Sequence, residues 1–153
     1  MLRDRSLVPL SRQHQHGLTL CVQIERGLRK DHSPERSAKL ARRVTDAYEI
    51  ELRNHFDVEE RILFPAIRQN LGLSPLVEEL VGEHRQLEAL IGRVASAGED
   101  QPKALLEFAA TLSGHIRREE RQLFEDIQKR LTREMLDRLG RAIEAEVVRA
   151  CGL

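Results

Sequence analysis

Apolar residues recur along this chain at three- and four-residue steps, the period of one helix face, and no stretch alternates with the period of two that marks a strand. Leu10, Leu18, Cys21 and Leu28 form one stripe, Leu80, Leu87 and Ile91 another, and Met135, Leu136, Leu139, Ile143 and Val147 a third. Punctuation divides the stripes. Ser33-Pro34 and Ser74-Pro75 each read as an N-cap followed by proline at the first helical position, Asp100 and Thr132 are further caps, and Gly72 and Gly98 stand where helices stop. The pattern predicts helices over 10–30, 34–70, 75–97 and 101–130, a C-terminal helix over 132–150, and a lead-in at 1–9. Pro65 lies inside the second segment, where its missing N–H predicts a kink or an end.

Short connections between four long helices favour antiparallel neighbours, so the expected architecture is all-α: an up-down-up-down four-helix bundle with an additional C-terminal helix, in one domain spanning 1–153. Composition agrees. Aromatic residues are 3% of 153 and tryptophan is absent, whereas Leu, Ala, Glu and Arg abound. The C-terminal stripe has three uses open to it: packing across the bundle, closing one end, or forming a homodimer contact.

Charge excludes some partners. Lys plus Arg and Asp plus Glu both total 25, so no net field draws in nucleic acid or an anionic membrane. No segment approaches the roughly 20 apolar residues of a membrane span, and the first residues are too charged for a secretory signal. Cys21 and Cys151 lie far apart with no Cys-x-x-Cys pairing, which argues against a disulfide framework and points to a reducing cytoplasm.

One phrase occurs twice. His55-Phe-Asp-Val-Glu59-Glu60-Arg61-Ile-Leu63-Phe64 returns sixty residues later as His115-Ile-Arg-Arg-Glu119-Glu120-Arg121-Gln-Leu123-Phe124. At about 100° per residue, positions i and i+4 lie about 40° apart, so each histidine and glutamate can reach one ion. The offset makes the chain a duplicated helical hairpin whose half-sites face each other. His84 shares the stripe of Leu80, Leu87 and Ile91. His14 lines up with Leu10 and Cys21 and is the helix-one candidate; a later helix start would put His16 in its place. Buried Glu59 and Glu119 need a compensating cation, because an unpaired charge in an apolar core costs several kcal/mol. The remaining residues have plainer readings. Glu60 and Glu120, about 100° around from the glutamates before them, are expected to be solvated and paired with arginine, with orientation of a ligand histidine as the alternative. Phe64, Phe124, Cys21 and Tyr48 are expected in the core, with the Tyr48 phenol also a candidate donor to a bound ligand.

The order His14, His55-x-x-x-Glu59, His84, His115-x-x-x-Glu119, with Glu-Glu-Arg-x-Leu-Phe after each paired histidine, resembles the hemerythrin-like (HHE cation-binding) domain family over nearly the whole chain. The resemblance implies a four-helix bundle around a non-haem di-iron centre. It implies that His14, His55, His84 and His115 are terminal ligands of two iron ions and that Glu59 and Glu119 bridge them. The imidazole and carboxylate donors also suit manganese and, less well, zinc. Ferritin-like proteins place the carboxylate first and three residues from the histidine, the reverse of the order here. The oxygen carriers of the family use five histidines, and the candidates for a fifth here are His16 and His32, the latter in a connecting loop, so the implied chemistry is binding, sensing or redox reaction of O2, NO or peroxide at open positions. An oxidoreductase or iron donor in stress repair, and a helical interaction domain without a functional metal, are the alternatives.

Overall fold

The structure, a computed structural model, describes residues 2–148, and among them every regular element is helical. Five helices follow one another. They are α1 (Val8–Lys30), α2 (34–71), α3 (Pro75–Ala95), α4 (101–130) and α5 (Arg133–Glu146). The C-terminal helix ends at Glu146, before its expected end at 150, with Val147 extended, and Cys151 lies outside the described residues.

The predicted caps form. Ser33 accepts from the Arg36 N–H, Ser74 from Val77 and Thr132 from Met135, each satisfying a backbone donor at a helix start, a bond whose loss costs about 1 kcal/mol. Asp100 differs: its carboxylate turns to Arg93 at 3.0 Å and leaves the start of α4 uncapped by a side chain. Gly72 stops α2 with φ of 85°, a left-handed value that favours glycine.

Two long helices change pitch along their length. In α2 the segments Tyr48–Leu52 and Glu59–Leu63, and in α4 the segment Glu119–Leu123, are π turns. The N–H groups of Arg53, Phe64 and Phe124 reach back five residues to the carbonyls of Tyr48, Glu59 and Glu119. Pro65 therefore does not end α2 after the repeated phrase. It falls in the first turn of the segment Phe64–Leu71, next to the change of hydrogen-bond register, and the helix runs on to Leu71.

Burial falls into two apolar clusters with a polar layer between them. One contains Leu20, Ile24, Leu28, Val44, Phe56, Leu87, Phe108 and Leu112; the other contains Leu10, Leu63, Phe64, Leu80, Leu123, Phe124 and Ile127. Each long helix passes from one cluster to the other at its histidine: Leu10 and Leu20 flank His14, Leu52 and Leu63 flank His55 and Glu59, Leu80 and Leu87 flank His84, and Leu112 and Leu123 flank His115 and Glu119. α5 buries Leu136, Leu139 and Ile143 in the second cluster, so within the chain its stripe covers that end. No described helix is long and apolar enough to cross a membrane.

Candidate metal centre

The polar layer is built from four helices. His14 on α1, His55 and Glu59 on α2, His84 on α3, and His115 and Glu119 on α4 are all buried, the two glutamates to 0% exposure. Every histidine turns its Nε2 inward. Glu59 divides its oxygens, placing Oε1 2.9 Å from His55 Nε2 and Oε2 3.0 Å from His84 Nε2. Glu119 does the same, with Oε2 2.9 Å from His14 Nε2 and Oε1 3.2 Å from His115 Nε2. Two four-residue groups result, His14-His55-Glu59-Glu119 and Glu59-His84-His115-Glu119, each with donor atoms within 4.8 Å of one another, and both carboxylates belong to both groups.

The donors fit a cation. Seven buried side-chain N and O atoms among the described residues lack a hydrogen bond, and six of them lie here: Nε2 of His55, His84 and His115, both oxygens of Glu59, and Oε1 of Glu119. They approach as closely as bonded pairs yet are not aligned for a shared proton. Native interiors leave few polar atoms in that state, so six converging on one place indicate an ion.

The model of the hemerythrin HHE cation binding domain matches residues 7–127, which takes in all six residues. The chain belongs to the hemerythrin HHE cation-binding domain family. No curated protein and no solved structure matched.

In this family member the outer nitrogens of all four rings are held, whereas three of the four inner ones are bare. His14 Nδ1 meets Glu120 at 2.7 Å, His84 Nδ1 meets Glu60 at 2.9 Å, His115 Nδ1 meets Glu83 at 3.3 Å, and His55 Nδ1 meets the amide oxygen of Gln13 at 2.8 Å. Each partner accepts from an Nδ1–H and so fixes the tautomer that leaves a lone pair on Nε2. Phe124 stacks on His14 with ring centroids 5.4 Å apart, and Phe56 on His84 at 4.2 Å, which further limits ring rotation.

Without a cation, protons must take up the carboxylate charge. Burial pushes the His55 imidazole down, but Glu59 and Glu119 outweigh it and hold it at about 9; burial also lowers His115, but Glu119 and then Glu83 hold it at about 10. Burial would raise the Glu119 carboxyl, yet His115 and its neighbours keep it well below its usual range.

Glu60 and Glu120 correct the expectation of plain solvated carboxylates. Both do pair with arginine, Glu60 with Arg85 and Glu120 with Arg3, but each also holds a histidine. The π turns explain it. A turn that closes over five residues sets successive side chains less than about 100° apart, so Glu59 and Glu60 both reach the layer from one helix. Gln13 and Glu83 hold the layer as well, and their one sequence signal is their place next to His14 and His84. The others fall outside: His16 is exposed and bonds Glu51 at 2.8 Å, His32 is exposed, and the Tyr48 hydroxyl reaches Glu88 at 3.5 Å rather than the layer. Cys21, 2% exposed, packs as a small apolar residue whose thiol burial pushes up to about 12.

Proposed function

We propose that the chain is an up-down-up-down four-helix bundle whose polar layer holds a non-haem di-iron centre for O2, NO or peroxide, in a soluble cytoplasmic protein. The observation that carries this reading is the pair of groups sharing Glu59 and Glu119, because shared carboxylates set two cations side by side. His14 and His55 would be the terminal ligands of one ion, and His84 and His115 those of the other. The donor set favours iron or manganese over a structural zinc, since it mixes imidazole with carboxylate and has no thiolate.

Bound iron would supply one-electron redox chemistry and open coordination positions for a small ligand, since six protein residues do not fill two coordination shells. The chain's own residues do the rest. Glu120, Glu60, Glu83 and Gln13 keep the Nδ1–H protons in place, Phe56 and Phe124 hold two rings, and the apolar clusters on either side keep bulk water away. The test is optical: iron-loaded, reduced protein is exposed to O2 and, separately, to NO. New charge-transfer absorbance that His115→Ala abolishes supports the reading, and an unchanged spectrum with both gases contradicts it.

A further inference from the structure

The four histidines do not have equivalent partners. His14, His84 and His115 each give an Nδ1–H to a carboxylate, whereas His55 gives its proton to the neutral amide of Gln13. The amide is held in that orientation. Its NH2 group faces Asn54 Oδ1 at 3.3 Å and the Val148 carbonyl at 3.4 Å, so only the Gln13 oxygen is left to accept from His55. Asn54 is fixed in turn by the Val148 N–H and the Glu146 carbonyl, both at 2.9 Å. The chain of contacts behind His55 is therefore neutral to its end. Behind the other three, Arg3, Arg85 and Arg118 grip Glu120, Glu60 and Glu83 from outside, which anchors the carboxylates without replacing the direct bond to the ring.

A carboxylate on Nδ1–H makes the opposite nitrogen a stronger donor to a cation, and removing such a partner changes metal affinity by about 10–100-fold. The His84/His115 group has two carboxylate-backed rings, and the His14/His55 group has one. Resting on the dinuclear reading above, we propose that the two ion positions are inequivalent: the His84/His115 position holds its ion more tightly, and the His14/His55 position is the exchangeable one. The surroundings support the assignment. Gln13 also lines a cavity of about 430 Å³ between α1 and α2, whose walls carry Glu51, Asp46, Arg43 and His16. A third π turn, Tyr48–Leu52, carries Glu51 into that wall, and α4 has no counterpart of it among the described residues. The weaker position thus lies on the side where a polar-walled cavity approaches the layer.

The test titrates the metal-free protein with Co2+ by calorimetry. Wild type is expected to bind two ions with constants at least about tenfold apart. Gln13→Glu should raise the weaker constant about tenfold and leave the tighter one; Glu83→Gln should lower the tighter about tenfold and leave the weaker. Mutual repulsion of two ions at equivalent positions cannot produce that opposite pattern. Glu83 is partly exposed, so Glu83→Gln decides the matter if buried Gln13→Glu fails to fold. An unchanged tighter constant in Glu83→Gln, or a weaker one lowered instead, overturns the inference while leaving the dinuclear centre intact. Fewer than two ions bound by wild type overturns the centre itself, and this inference with it.

Discussion

Replacing Glu59 with glutamine keeps the side chain's shape and removes one negative charge from the middle of the polar layer. The carboxylate places one oxygen 2.9 Å from His55 Nε2 and the other 3.0 Å from His84 Nε2, so it serves both groups at once. An amide has one acceptor oxygen. Whichever way it turns, its NH2 group faces one of the two positions with hydrogens, and that position loses its ion. At free metal a hundredfold above the weaker dissociation constant, each ion adds at least about 2.7 kcal/mol to folding stability, or at least about 5.4 kcal/mol for two. At roughly 2–4 °C per kcal/mol for a chain of 153 residues, loading wild type should raise Tm by at least roughly 11–22 °C. In Glu59→Gln at most one ion remains, so the rise should fall by at least roughly 5–11 °C. Scanning calorimetry of metal-free and loaded forms measures both, with His16→Ala as the control that keeps the full rise. A Glu59→Gln protein with the wild-type rise would refute the shared-carboxylate geometry.

His14→Ala should lower metal content and His16→Ala should not, because His14 is 1% exposed in the layer while His16 is bonded to Glu51 outside it; elemental analysis decides, and the reverse result would move the helix-one ligand. Loading at pH 7 should release about two protons, from His55 near 9 and His115 near 10, as read by an indicator in weak buffer, and zero release would show that neither ring is charged beforehand. Both folded values lie above the ordinary 6.5, so in the metal-free protein their stabilisation is complete below that pH and lost as pH rises through about 9 to 10. The Tm of the metal-free form should therefore drop on going from pH 7 to 10, a drop that a flat profile would contradict. Gly140→Ala would bring a Cβ to 2.9 Å from the Ser6 Cα, a backbone atom, so α5 must shift from the lead-in; a loss of about 1–3 kcal/mol in denaturant unfolding is expected, with metal content retained.

Much of this molecule is legible in its sequence. Ser33, Ser74 and Thr132 mark their helix starts, and the doubled phrase puts His55, Glu59, His115 and Glu119 on facing helices, because spacing and capping are local properties. The apolar stripes also place His14 and His84 in the layer rather than His16. What an ideal α-helix conceals is the role of Glu60 and Glu120. Counting about 100° per residue turns both away from the layer, and only the π turns bring them to His84 and His14. Gln13 escapes for another reason: its contact with His55 joins residues 42 apart, and its orientation is set from Val148 at the other end of the chain. Pro65 shows the same limit, since a proline at a change of register has no hydrogen bond to break.

The central claim, two ions held between shared carboxylates, is tested most directly by iron stoichiometry after anaerobic reconstitution with ferrous iron and gel filtration. The account predicts two irons per wild-type chain and none in the double variant Glu59→Gln/Glu119→Gln, which keeps every histidine. A wild-type chain that emerges without iron, or a double variant that retains the wild-type amount, would contradict it.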